Sequence, residues 1–108
     1  MQIEKILNGS ELTLKPVGRI DAVTALEFEK EFLSSIEGVK DLILDFSELE
    51  YISSAGLRIL LKMQRKMDSI GSMKICNVGK DIREVIDMTG FSGFLTLEDK
   101  KTGFSVNF

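Results

Sequence analysis

Two adjacent hydroxyl groups, those of Ser53 and Ser54, lie between an apolar run that ends near Phe46 and an amphipathic segment that follows them. A serine at the start of a helix accepts a hydrogen bond from a free backbone N–H group, so we expect one of the two to be a cap. The same position favours a phosphate, because a helix N-terminus carries partial positive charge. The segment therefore predicts a helix cap, a phosphorylation site, or both.

Nucleophilic catalysis by these serines is disfavoured. A serine nucleophile needs an adjacent base, and the chain contains no histidine. Ala55-Gly56 does not complete the Gly-x-Ser-x-Gly turn of serine hydrolases. With no histidine and a single cysteine, Cys76, the chain also has no His-ligated metal site, CxxC motif or internal disulfide. We expect no enzymatic activity, no metal and no cofactor.

A second polar element, Gly18-Arg19-Ile20-Asp21, precedes a predicted helix. Asp21 is predicted to be the N-cap of that helix. Alternatively, the turn presents Asp21 and the hydroxyl of Thr24 beside the sheet for binding. Asp21 and Asp45 are too few and too far apart in the sequence to indicate a magnesium site.

Length, composition and charge narrow the class of protein. The 108 residues are expected to form one domain over 1–108. A hydrophobic share of 44% with 29% charged residues is typical of a soluble globular domain. The formal charge of −3 argues against nucleic acid as a direct partner. With no signal peptide and no run of about 18 apolar residues, we expect a cytoplasmic protein without membrane insertion.

The hydrophobic periodicity alternates between strand-like and helix-like segments. Residues 2–7 and 11–17 predict a hairpin around Asn8-Gly9-Ser10, in which Pro16 marks either a sheet edge or a place where pairing stops. The elements predicted after it are a helix over 22–36, a strand over 42–46, a loop over 47–53, a helix over 55–69, a strand over 73–78, a helix over 80–89 and a last strand over 94–97. The order ββαβαβαβ predicts an α/β fold with a mixed central sheet covered by helices.

Burial and charge give three further expectations. The strand over 42–46 is apolar enough to be buried on both faces. The first helix is expected to have a broad buried face, made of Leu26, Phe28, Phe32, Leu33 and Ile36. The basic residues of the second helix form either a solvated face or a docking surface for an acidic partner; they are Arg58, Lys62, Arg65 and Lys66.

The segment Tyr51-Ile-Ser-Ser-Ala-Gly-Leu57 resembles the signature of STAS domains, and in particular that of the stand-alone bacterial anti-sigma factor antagonists. Gly18–Asp21 matches the Gly-x-hydrophobic-Asp element of that family. Phe91, after Asp87-Met-Thr-Gly90, resembles the segment that follows the third helix of its members. The resemblance covers nearly the whole chain.

The resemblance implies a non-enzymatic switch. In such families the unphosphorylated protein binds an anti-sigma factor, which is also an ATP-using serine kinase, and so frees a sigma factor. The kinase phosphorylates a serine at the start of the second helix, which releases the antagonist, and a PP2C-type phosphatase resets it. Alignment on Gly56-Leu57 puts the phosphorylated serine at Ser54. The partner-binding residues implied on this basis are Asp21, Thr24, Ser53, Gly56, Leu57 and Arg58.

The chain departs from the family pattern at two places. Ser53 stands where the family often has aspartate, which makes Ser53 an alternative phosphoacceptor. Many relatives end in a fourth amphipathic helix, whereas Gly103–Phe108 alternates as an extended segment does, so no fourth helix is expected.

Two other functions remain open at this point. One is a small anion- or nucleotide-binding module, with its ligand at the start of the second helix and no covalent modification. The other is a scaffold piece of a larger assembly, in which Ser53 and Ser54 are only caps.

Overall fold

A five-stranded mixed sheet and three α-helices make up residues 1–98, the part of the chain that the computed structural model describes. The elements are β1 (Gln2–Asn8), β2 (Glu11–Ile20), α1 (Ala22–Ser35), β3 (Asp41–Asp45), β4 (Leu49–Ile52), α2 (Ser54–Asp68), β5 (Ser72–Cys76) and α3 (Lys80–Met88), followed by a 3-10 turn at Phe91–Gly93. The predicted α/β class, with a mixed sheet and helices, is confirmed.

The sheet has the strand order β1-β2-β3-β5, with β4 also paired to β2. β1 and β2 form the predicted antiparallel hairpin, and all other pairs are parallel. β2 pairs with β3 through Glu11–Leu14 and with β4 through Gly18–Ile20. Pro16 lies between these two stretches. Its pairing with Ile3 of β1 continues. Because proline has no N–H group to donate, it fits where the parallel pairing is interrupted, so the second of the two alternatives is confirmed for that side of β2 only.

Burial alternates along β3, which corrects the expectation that this strand is buried on both faces. Leu42 and Leu44 are buried, whereas Ile43 and Asp45 are only half-buried. β2 and β5 alternate in the same way, and their buried residues join those of α1 and α2 in one core. Within residues 1–98, the side chains on the other face of these strands are therefore not fully covered.

α1 contributes Ala25, Phe28 and Phe32 to the core. The prediction that Leu26 and Leu33 are buried is wrong, since their exposed fractions are 64% and 54%. A helix that packs through positions i, i+3 and i+7 turns the residues between them away from the sheet.

Two other predictions of secondary structure need correction. β4 lies inside the predicted loop over 47–53. The predicted last strand over 94–97 is reduced to one bridge between Leu97 and Ile75. The extended end at 103–108 and the absence of a fourth helix concern residues outside those described. No helix within residues 1–98 is long and apolar enough to cross a membrane.

Candidate functional site

The hydroxyl groups of Ser53 and Ser54 have different environments at the start of α2. Ser53 is the N-cap, and its Oγ accepts a hydrogen bond from the N–H of Gly56 at 3.1 Å. Ser54 is the first helical residue and is exposed. Its hydroxyl has no hydrogen-bond partner among residues 1–98. One serine therefore caps the helix and the other presents a free hydroxyl to solvent.

The sheet places this hydroxyl beside the start of α1. Ile20 at the end of β2 pairs with Ile52 at the end of β4, and the N–H of Ser53 donates to the carbonyl of Ile20 at 2.8 Å. Asp21 and Ser53, the caps of α1 and α2, each follow one of these isoleucines. The N-termini of both helices therefore emerge at the same edge of the sheet.

Asp21 and Thr24 form a capping box at the start of α1. A carboxylate oxygen of Asp21 accepts from the N–H groups of Thr24 at 2.9 Å and Val23 at 3.0 Å, and the Thr24 hydroxyl accepts from the N–H of Asp21 at 2.8 Å. The hydrogen bond from the Thr24 backbone is the largest of the interactions that lower the pKa of Asp21. The predicted capping role of Asp21 is confirmed, and the Thr24 hydroxyl is engaged in the same cap.

Gly56 and Leu57 hold α2 against the strands. A Cβ atom on Gly56 would lie 2.7 Å from Cγ1 of Ile52 and 2.8 Å from Cγ2 of Ile20, so the helix needs glycine to approach this closely. The side chain of Leu57 is fully buried. The expectation that Gly56 and Leu57 supply contact area to a partner is therefore corrected. The two residues are buried, and they hold the start of α2 in place against the strands. Arg58, the next residue, is exposed as expected.

An exposed cation–π pair, Arg19 and Tyr51, lies on the same two strands. The two residues are paired across β2 and β4, and the Arg19 guanidinium carbon is 4.2 Å from the Tyr51 ring centroid. Sequence reasoning missed this pair because β4 was expected to be a loop. The sequence did contain a clue to this pairing. Arg19 stands two positions before the cap Asp21, and Tyr51 stands two positions before the cap Ser53, so the two residues hold equivalent places before their helices.

Asp21 and Asp45 belong to no larger cluster of metal-ligating residues in the described part of the chain. No group of three or more His, Cys, Asp or Glu residues within 1–98 could hold a metal ion. Burial acts to raise the pKa of Asp45, but hydrogen bonds from Asn77 and Ser47 outweigh it and the pKa is lowered.

Burial, followed by the charge of Asp45, raises the pKa of the Cys76 thiol, which disfavours a reactive thiolate.

A cavity of about 280 Å³ lies between β4 and the start of α3. It is lined by Leu49, Glu50 and residues Gly79–Ile82. It lies at the start of α3, a different helix from that of Ser54, and its wall contains both acidic residues, Glu50 and Asp81, and the basic residue Lys80. It does not favour the alternative of an anion or nucleotide at the start of α2.

The family model of the STAS domain matches residues 2–102. Among curated proteins, BtrV of Bordetella bronchiseptica, named as a candidate anti-sigma factor antagonist, is 27% identical over 93 residues, which are 84% of this chain and 80% of BtrV.

Solved structures of anti-sigma factor antagonists have the same fold. One from Mycobacterium paratuberculosis has a TM-score of 0.79 at 24% identity, over 89% of this chain and 83% of that protein. Unphosphorylated SpoIIAA has a TM-score of 0.76 at 17% identity, over 93% of this chain and 87% of its own. Phosphorylated SpoIIAA from Bacillus has a TM-score of 0.70 at 18% identity, over 93% and 90% of the two chains.

Proposed function

Because the chain belongs to the STAS domain family, we propose that it is an anti-sigma factor antagonist that regulates transcription by exchanging binding partners. Its unmodified form binds an anti-sigma factor that is also an ATP-using serine kinase, and a sigma factor is released. The kinase then phosphorylates the antagonist, which dissociates until a PP2C-type phosphatase removes the phosphate. The antagonist itself acts by binding, without catalysis or a cofactor.

The observation that carries this proposal is the free, exposed hydroxyl of Ser54 in the first turn of α2. A kinase needs an accessible hydroxyl, and a helix N-terminus tolerates the resulting phosphate. The first turn of α2 contains no acidic residue that would repel it. Ser53 is the weaker candidate, because its Oγ already caps the N–H of Gly56.

Exposed side chains at the start of α1 and on β2 and β4 add surface that a protein partner would cover. Val23 and Leu26, in the first turns of α1, are 67% and 64% exposed. Arg19 and Tyr51 add a stacked pair of the two residue types that are enriched in binding hot spots. Exposed apolar and aromatic side chains on these elements favour a protein partner over a small ligand.

Phosphorylation would end this interaction by electrostatics. A phosphoserine adds about −1.5 to −2 charge units in one step. At an interface, that charge must be desolvated and meets any acidic groups of the partner. A change at Ser54 therefore weakens docking without any rearrangement of the core.

Affinity capture from extracts of the source organism tests the proposal, with the wild type, Ser54→Ala and Ser54→Asp as baits. We expect an ATP-binding serine kinase with the wild type and Ser54→Ala, and its loss with Ser54→Asp. Ser53→Asp serves as the control for a charge at the neighbouring position. Incubation of the captured kinase with ATP and the wild type should place the phosphate on Ser54 by mass spectrometry. Capture of the same proteins by all three baits would contradict the assignment of Ser54 as the switch.

A further inference from the structure

The solvent-facing side of α2 carries a series of cations that starts one turn after Ser54. We call these residues the α2 basic face; they are Arg58, Lys62, Arg65 and Lys66. All four are exposed. Their spacing of three and four residues puts them on one side of the helix, in line with Ser54 at position i−4 from Arg58. The acidic residue of α2, Asp68, accepts a hydrogen bond from the side chain of Gln64 at 2.9 Å.

Most of this positive charge is not neutralised within the described chain. Lys62 pairs with Glu29 of α1 at 3.2 Å. Arg58, Arg65 and Lys66 have no ion-pair partner in residues 1–98. The lysines of the sheet differ, since each faces a carboxylate; the pairs are Lys5–Glu31 at 2.7 Å, Lys15–Glu4 at 3.9 Å and Lys74–Glu98 at 3.1 Å.

We propose that the α2 basic face docks an acidic surface of the kinase partner, and that phosphate on Ser54 acts by cancelling charge at the start of this face. The inference rests on the proposed function and extends it along the helix to Arg65 and Lys66. The three unpaired cations carry three positive charges. The negative charge of a phosphoserine offsets about two of these positive charges. One modification therefore neutralises most of the attraction.

The surroundings of the α2 basic face favour an acidic protein over nucleic acid or a membrane. The whole chain has 17 acidic and 14 basic side chains. α1, which packs beside α2, carries Glu27, Glu29 and Glu31. A long polyanion or an anionic bilayer would meet these carboxylates as well as the cations. A bounded acidic patch on a protein matches a single basic helix face.

The test compares Arg65→Glu and Lys66→Glu with the control Lys30→Glu, in binding to the purified kinase. Arg65 lies about three turns from Ser54, so its effect cannot come from contact with the phosphoacceptor. Lys30 is an exposed residue of α1 with no ion-pair partner in residues 1–98. We expect each α2 variant to weaken binding by about tenfold or more, with a shallower dependence on salt, and Lys30→Glu to have little effect. The melting temperatures of all three variants should equal that of the wild type.

Failure of this inference is distinguishable from failure of the proposed function. If Ser54→Asp abolishes kinase binding while both α2 variants bind like Lys30→Glu, the α2 basic face is not the docking surface and the switch stands. If no kinase binds the wild type, the proposed function fails, and NMR titration with an oligoglutamate peptide decides the inference alone. Amide shifts concentrated on Arg58, Arg65 and Lys66 would support an acidic protein partner. Shifts there with duplex DNA or phosphatidylglycerol vesicles, but not with the peptide, would overturn it.

Discussion

At the scale of single residues, the hydroxyl groups of Ser53 and Ser54 differ in their surroundings because the backbone conformation changes between these two positions. The N-cap residue has extended backbone angles, so Ser53 directs its Oγ to the N–H of Gly56. Ser54 already has helical geometry and directs its hydroxyl to solvent. The sequence predicts a helix cap here, but which of the two serines is the cap and which is free depends on backbone angles at the junction of β4 and α2.

Replacement of each serine by alanine should separate the cap from the acceptor. Ser53→Ala should lower the free energy of unfolding by about 1 kcal/mol, because the Gly56 N–H loses its partner. Ser54→Ala should change it by less than about 0.5 kcal/mol, because an exposed hydroxyl without a partner is removed. Urea denaturation measures both values. An equal loss in the two variants would contradict the assignment of Ser53 as the cap.

The carboxyl group of Asp21 should make stability depend on pH in the acid range. Its pKa in the folded chain lies below the ordinary 3.8, chiefly because of the Thr24 N–H. The unfolded chain therefore binds the proton more readily, so this contribution is present above the unfolded pKa and is lost as the pH falls through the folded pKa. We expect the wild type to lose more stability than Asp21→Asn between about pH 5 and pH 3 in urea titrations. Parallel pH profiles would be inconsistent with the capping box.

At the scale of elements, the close contact of α2 with β2 and β4 depends on Gly56. In Gly56→Ala, the new Cβ would meet Ile52 and Ile20 at less than 3 Å. We expect a loss of about 1–3 kcal/mol in the free energy of unfolding, the range typical of overpacked cores. Gly93→Ala is the matched control, since a Cβ there meets nothing within 4 Å. If both variants were equally stable, the start of α2 could not be held by this contact.

A negative charge in the first turn of α2 should not destabilise the fold. Carboxylates near a helix N-terminus stabilise it by about 0.3–1 kcal/mol. Ser54→Asp should therefore unfold at the same temperature as the wild type or slightly above it, as measured by calorimetry, while it loses the kinase. A marked drop in the melting temperature would mean that any lost binding reflects unfolding instead.

Some of the helices and strands could be predicted from the sequence, whereas β4 could not. The hairpin, the cap of α1 and the start of α2 carry local signals, namely Asn-Gly, a capping aspartate and paired serines. β4 has no such signal, because Leu49 and Ile52 point inward with two exposed residues between them and break the two-residue period of a strand. The pairing of β4 with an irregular stretch at Gly18/Arg19 is a long-range property of the sheet. Without β4, neither the Arg19–Tyr51 pair nor the burial of Gly56 could be foreseen.

At the scale of the whole molecule, the parallel pairing of β2 with β4 brings the starts of α1 and α2 to one edge of the sheet. β2 and β4 both end there, so the caps of α1 and α2 lie side by side, and the α2 basic face begins one turn after Ser54. The core lies beneath this edge, with Leu57 fully buried in it. A charge added to Ser54 therefore changes the surface that a partner contacts and requires no change in the packing of the core.

Under the proposed function, phosphate on Ser54 controls binding to the kinase. The most direct test is calorimetry of the purified kinase against three forms of the chain: unmodified, with phosphoserine incorporated at position 54, and with phosphoserine at position 53. We predict tight binding of the unmodified chain and a loss of at least about a hundredfold with phosphoserine at position 54, because like charges placed together at an interface cost several kcal/mol. Equal affinity for the unmodified chain and the chain modified at Ser54 would show that phosphate at this position does not control kinase binding.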